Sequence, residues 1–173
     1  MNFLAHLYLS GDNEEVLVGN FIGDFVKGSQ MDQYPSTIQK GIRLHRSIDH
    51  FTDTHAIGLE SKVRLRDKFR HYAPVIVDVF YDHFLAINWS KFSKIPLKQY
   101  SEDFYSLMKK YVDTIPKGVT HMLGFMSRDN WLYNYQFIEG IDRALTGMSR
   151  RTKYENKMDE ASKTLEEFYN EFH

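Results

Sequence analysis

Residues 74–88 read Pro74-Val75-Ile76-Val77-Asp78-Val79-Phe80-Tyr81-Asp82-His83-Phe84-Leu85-Ala86-Ile87-Asn88. Ile76, Val79, Phe80, Phe84 and Ile87 recur at three- and four-residue steps, so on a helix they line one face. Pro74 suits the first turn, where its missing N–H costs no hydrogen bond. The stretch therefore predicts a helix that buries one face. The other prolines, at 35, 96 and 116, stand in the same way before periodic stretches. Working outward, helices are expected over about 12–27, 36–51, 59–72, 74–88, 97–113, 117–129, 131–147 and 152–171. Asp12 and Glu15 make a capped start for the first of these, and Gly28 a left-handed stop. The apolar segment before it, residues 1–9, reads as a buried first element. No run alternates as a half-buried strand would. The expected fold is all-α: a single domain over 1–173, a bundle of about seven to nine helices.

Composition narrows the classes. Hydrophobic residues make up 42% and charged residues 26%, which excludes a disordered or fibrous chain. Thirteen Phe and eleven Tyr supply large core pieces, and with no Cys there is no disulfide to contribute. A net charge of -1 gives no field of the kind that coats nucleic acid, so no nucleic-acid partner is expected. The apolar N-terminal segment reaches Gly11-Asp12 well short of a membrane span and lacks a basic start. A cytoplasmic protein without a membrane partner is expected.

The chemistry lies in His and Asp residues on apolar helices. His45 and Asp49 are four apart and so turn the same way, with Asp53 four further on and Arg46 beside His45. Asp78 and Asp82 repeat the spacing, with His83 following. Asp24 sits amid Phe21, Ile22, Phe25 and Val26, and His6 between Leu and Ala neighbours; both are expected to be partly buried. A buried carboxylate without a partner is costly, so several on core-facing helices call for a cation. Imidazole with carboxylate and no thiolate suits Mn²⁺, Fe²⁺ or Mg²⁺ better than structural zinc. A phosphate-binding Gly-rich loop, an H-E-x-x-H zinc motif and a Glu-x-x-His di-iron pair are all absent, and a Cys nucleophile is excluded.

Several longer words in the chain resemble the acyl carrier protein phosphodiesterase family, a distant relative of HD-type phosphohydrolases. They are Asn2-Phe3-Leu4-Ala5-His6-Leu7; Gly19-Asn20 with Asp24-Phe25-Val26-Lys27-Gly28; and Gly41-Ile42 with His45-Arg46, Ile48-Asp49 and Thr52-Asp53. Ala73-Pro74, Asp78-Val79 and Asp82-His83-Phe84-Leu85 continue the likeness, and Trp131-Leu132, Gly147-Met148 and Arg150-Arg151 extend it more loosely. The resemblance implies a cytoplasmic enzyme, HD-like in fold, that uses Mn²⁺ to hydrolyse the phosphodiester joining 4'-phosphopantetheine to a serine of holo acyl carrier protein. It points to His6, Asp24, His45, Asp49, Asp78, Asp82 and His83. The chain has Asp-His at 49–50 and 82–83 where HD enzymes have His-Asp, so ligand roles do not transfer from those enzymes.

On this reading His6, Asp24, His45, Asp49, Asp82 and His83 are the candidate metal ligands. Asp24, His45, Arg46, Asp49, Asp78 and Asp82 are the candidate catalytic set, with Arg46 as phosphate clamp. His45→Ala and Asp82→Asn are each expected nearly to abolish turnover with the fold intact. An acidic carrier protein calls for a basic face, and Lys62, Arg66 and Arg70 form one helical stripe suited to dock it. Two alternatives compete: a metal phosphohydrolase acting on a nucleotide or other small phosphoester, and a non-catalytic helical binding module.

Overall fold

A computed structural model describes residues 3–173, so the Asn2 end of the first matching word lies outside the described residues. Among them are eleven α-helices linked by loops and 3-10 turns, with no strand. They are α1 (Phe3–Leu9), α2 (Glu14–Ile22), α3 (Ser36–Thr54), α4 (Ala56–Phe69), α5 (Ala73–Ile87), α6 (Leu97–Lys109), α7 (Lys117–Arg128), α8 (Trp131–Asn134), α9 (Ile138–Ser149), α10 (Ala161–Glu167) and α11 (Tyr169–Phe172). The all-α expectation holds. No helix among the described residues is long and apolar enough to cross a membrane.

The prolines mark helix starts as expected. Pro35, Pro96 and Pro116 cap α3, α6 and α7, and Pro74 occupies the first turn of α5. The helix ends differ more, and tertiary hydrogen bonds account for much of the difference. The expected 131–147 helix divides after Asn134, where the Tyr135 carbonyl accepts from His83 Nδ1 (2.8 Å) instead of from the next helical turn. The expected 152–171 helix begins only after a loop knotted by Asn156, whose Nδ2 donates to Ser149 O and Tyr154 O. It divides again at Phe168, and these two divisions, with α1 as a helix in its own right, raise the count to eleven. At α2 the cap is Asn13, whose side chain accepts from Val16 N (3.0 Å), one residue after the expected Asp12. That helix stops at Ile22, and a 3-10 turn over Gly23–Phe25 carries Asp24 out toward α3. Gly28 does take the left-handed conformation, at φ 54°, but beyond that turn.

Helix α5 lies at the centre of the molecule. Ile76, Val79, Phe80 and Phe84 are buried as their spacing predicts, and so are Val77, Asp82 and His83 on other sides. Ile87, at the open end, is 40% exposed and does not join them. Leu4 and Leu7 of α1, Phe21 and Ile22 of α2, and Ile38 and Ile42 of α3 complete the core on the N-terminal side. There α2 and α3 cross at backbone contact. A methyl group added at Gly19 would lie 2.0 Å from Ile38 O, and one at Gly41 would lie 2.1 Å from Val16 O. Both glycines are needed for the crossing, and the crossing brings Asn20 beside His45. Gly41→Val is expected to destabilise the protein by about 3 kcal/mol, because the clash is with backbone that cannot rotate away. Thermal unfolding followed by circular dichroism should show a midpoint about 6–12 °C lower. An unchanged midpoint would mean that the crossing is looser than these distances.

Candidate metal centre

Three elements bring four side chains together. His6 comes from α1, Asp24 from the turn after α2, and His45 and Asp49 from successive turns of α3, where their four-residue spacing places them on one face. The two imidazoles stack nearly parallel, with ring centres 4.1 Å apart. Asp49 spans both, its Oδ1 3.1 Å from His6 Nε2 and its Oδ2 3.2 Å from His45 Nε2. Asp24 Oδ1 approaches His45 Nε2 from another side at 3.2 Å. Both histidines are buried, while about a third of the Asp24 side chain and 40% of that of Asp49 stay exposed. The cluster therefore has a closed imidazole floor and a carboxylate edge open to solvent. Gly23 makes room for it: a methyl there would meet the His45 ring at 2.3 Å.

Charge decides what this arrangement can do. His45 Nδ1 donates to the backbone carbonyl of Asn20 (2.8 Å), so the nitrogen facing the two carboxylates is Nε2. That nitrogen is buried and has no aligned hydrogen-bond partner. Burial alone would lower the His45 pKa, but the carboxylates of Asp24 and Asp49 outweigh it and push the pKa up to about 9. Burial opposes ionisation of Asp49 too, yet the two rings hold its carboxyl well below the usual carboxylate range. The His45 ring 3.2 Å away does the same for Asp24. Two ionised acids thus flank a ring nitrogen that requires positive charge, supplied by a proton or by a metal ion. His6, His45 and Asp49 offer donor atoms close enough together to hold one ion. This set of imidazole and carboxylate donors fits a borderline-to-hard divalent cation.

Of the remaining residues singled out in the sequence, Asp82 and His83 make their hydrogen bonds outside the cluster, Asp78 lies one turn from Asp82, and Arg46 stands beside the cluster. Asp82 is buried on α5, where it accepts from the backbone N–H groups of Leu4 (2.9 Å) and Ala5 (2.8 Å) and so anchors the first turn of α1. Burial pushes its carboxyl up to about 7, against the pull of those two donors. Asp78, one turn earlier and half-buried, adds its negative charge to that push. His83 has both ring nitrogens engaged outside the cluster, bonding Tyr135 O through Nδ1 and the Tyr169 hydroxyl through Nε2. Arg46 is exposed next to His45, and its guanidinium donates to Val26 O (3.3 Å) at the end of the Asp24 turn. Sequence reasoning did not single out Asn20 as a site residue. It is neutral, and the available signal was a fully buried amide on an otherwise apolar stretch of α2.

Lys62 and Arg66 lie on α4, but the helix ends at Phe69 and Arg70 leaves it with φ 49°, so the three do not form the single helical stripe expected; they still line one groove of about 490 Å³ together with Leu59, Val63 and His71. Lys62 is engaged there, its ammonium 2.5 Å from Asp53 Oδ1 and its side chain 13% exposed. Arg66 and Arg70 are exposed, as are the apolar Leu59 (48%) and Val63 (65%) that line the same groove.

Comparison with known proteins bears on the whole chain. Acyl carrier protein phosphodiesterases of Photorhabdus laumondii subsp. laumondii and of Klebsiella pneumoniae (strain 342) are each 32% identical, each over 99% of this chain, covering 87% and 89% of their own lengths. The acyl carrier protein phosphodiesterase of Enterobacter sp. (strain 638) is 34% identical over 87% of this chain and 79% of its own. No solved structure matches. Residues 1–173 match the family described as acyl carrier protein phosphodiesterase, and the chain belongs to that family.

Proposed function

We propose that the chain, acting as one domain over residues 1–173, is a cytoplasmic metal-dependent phosphodiesterase that removes 4'-phosphopantetheine from holo acyl carrier protein. The observation that carries this reading is His45 Nε2, buried between two ionised carboxylates at 3.2 Å with no aligned partner, in a chain of this family. His6, His45 and Asp49 would hold the ion, with Asp24 at its edge and Mn²⁺ as the preferred metal ahead of Mg²⁺ or Fe²⁺. The helix-borne His and Asp cluster also supports distant kinship with HD-type phosphohydrolases.

A bound divalent cation would lower the pKa of water and offset charge developing on the phosphoryl oxygens. The protein side chains do the rest. Both carboxylates open to solvent, but Asp49 touches both rings and is committed to holding them, whereas Asp24 touches only His45, so Asp24 is the carboxylate left to accept the proton of the attacking water. Arg46, on the same rim, is placed to hold a phosphoryl oxygen. Water adds its oxygen to phosphorus, the serine oxygen leaves with a proton, and the products are apo carrier protein and 4'-phosphopantetheine.

The docking face is the groove on α4. Arg66 and Arg70 supply positive charge toward an acidic partner and Leu59 and Val63 an apolar contact, while Lys62 is held by Asp53 and steadies the turn between α3 and α4. Replacing Arg66 and Arg70 by Glu is expected to raise the KM for holo carrier protein roughly tenfold and to leave hydrolysis of a small phosphodiester unchanged. Equal losses on both substrates would remove the groove from substrate recognition.

The direct test is intact mass spectrometry of holo acyl carrier protein incubated with the purified chain and Mn²⁺, with and without chelator. Loss of one phosphopantetheine group, blocked by chelator, is the expected result. An unchanged carrier protein, with turnover of a small phosphoester instead, would shift the reading to a phosphohydrolase of the same site.

A further inference from the structure

Asn20 is completely buried in α2 and lies between the two histidines. Its side-chain oxygen faces His6 Nδ1 at 2.8 Å, and its backbone oxygen accepts from His45 Nδ1 at 2.8 Å. Its amide nitrogen donates to the His6 carbonyl (2.8 Å) and to Ser10 Oγ (2.9 Å), and the Ser10 hydroxyl donates in turn to the same carbonyl (2.8 Å). The network admits one amide orientation. With the amide turned over, its oxygen would face the carbonyl oxygen of His6. The side-chain oxygen therefore points at His6 Nδ1, and that nitrogen must carry the hydrogen. His45 Nδ1 faces a carbonyl oxygen, which accepts only, so it carries its hydrogen too. Whenever a ring is neutral, the hydrogen stays on Nδ1, and it is Nε2, directed at Asp49, that is free of hydrogen. In water a neutral histidine prefers the opposite tautomer.

We propose that Asn20 is the positioning residue of the metal centre, a single residue that fixes the tautomer and orientation of both imidazoles, of His6 through its side chain and of His45 through its backbone. The proposal rests on the metal reading above. It also gives the α2–α3 crossing a second consequence: Gly19, next in sequence, lets the Asn20 carbonyl come within reach of His45. A network that presents both acceptor nitrogens in advance spares the ion the cost of reorganising them.

Two measurements test the proposal. The first is calorimetric titration of the purified protein with Mn²⁺ alone. Asn20→Ala is expected to weaken binding about 10–100-fold, while Asn20→Asp, which keeps an acceptor toward His6 Nδ1, and Ser10→Ala, which leaves the grip on both rings, should stay within about tenfold of wild type. Wild-type affinity in Asn20→Ala would overturn the positioning role and leave the metal reading standing. No Mn²⁺ binding by the wild type would overturn both. The second measurement uses the wild-type chain and so does not depend on any variant folding. Nitrogen NMR of the metal-free protein, followed upward in pH until the ring shifts stop changing, should show His6 and His45 hydrogen-bearing at Nδ1 alone. The solution tautomer, with hydrogen at Nε2, on either ring would overturn the proposal.

Discussion

His45→Ala is expected to reduce turnover of holo acyl carrier protein by roughly 10³-fold or more, which corresponds to losing several kcal/mol of electrostatic stabilisation from the metal centre. His45 is the residue on which the cluster converges: Asp24 and Asp49 both reach its Nε2, His6 stacks on its ring, and Asn20 holds its far side. Removing it deletes one donor and leaves two carboxylates facing a cavity. The same variant should bind Mn²⁺ only weakly while keeping its helical circular dichroism, because the ring's Nε2 faces the solvent-open carboxylates of Asp24 and Asp49 and not the apolar core. Proton release gives an independent check. In the metal-free protein the His45 pKa, pushed up to about 9, keeps the ring protonated at neutral pH, so an ion must displace that proton. Mn²⁺ affinity of the wild type should therefore rise with pH up to about 9 and then level off. The linked stability has the opposite sign. With a folded pKa above the unfolded value of 6.5, His45 stabilises the metal-free protein fully below that value and ceases to do so as pH rises through 9. Retention of more than about a tenth of turnover by His45→Ala, with Mn²⁺ still bound, would move catalysis away from this cluster.

The sequence makes some parts of this architecture legible and hides others for identifiable reasons. Helix starts can be read because they depend on local chemistry: at each proline the chain loses a donor that a helix does not need in its first turn, and each of the four stands at a start. Helix ends are harder to read because distant groups compete for the same carbonyls, as His83 does for Tyr135 across 52 residues. The site divides in the same way. The spacing of His45 and Asp49 places both on one face, and the cluster uses that face. Asp78 and Asp82 have the same spacing, but spacing cannot say which neighbour a helix face will meet, and theirs meets the N-terminus of α1. Asn20 stands in one of the family-like words but received no site role, because charge is what marks a candidate ligand and this residue works through neutral donors and acceptors.

Asp82 is the second residue whose loss should have a large effect, through stability before chemistry. Its two oxygens accept from Leu4 N and Ala5 N, which belong to the first turn of α1 and have no partner within that helix. Asp82→Ala would leave two backbone donors unpaired, one buried and one partly buried, at about 1–3 kcal/mol each, for a loss near 4 kcal/mol. The thermal midpoint should fall by about 8–16 °C. Asp82→Asn keeps one acceptor and turns an N–H toward the other donor, so its loss should be roughly half as large. The deficit of the Asn variant should also depend on pH with a definite sign. Burial raises the Asp82 pKa to about 7 from 3.8, so the stabilising contribution of the wild-type carboxyl is complete below 3.8 and is lost as pH rises through 7. Asparagine does not titrate, and its deficit should therefore be larger at about pH 5 than at about pH 8. A deficit that grows with pH would show that the two N–H donors, and not burial, govern this carboxyl. Because α1 carries His6, turnover should fall along with the fold as temperature rises, yet at temperatures well below the midpoint both Asp82 variants should bind Mn²⁺, since the Asp82 hydrogen bonds run to the α1 backbone and leave the His6 ring to Asn20 and Asp49. His45→Ala should show the reverse pattern, a fold that persists and a metal that is lost. Loss of Mn²⁺ binding by cold, folded Asp82→Asn would instead draw Asp82 into the metal centre.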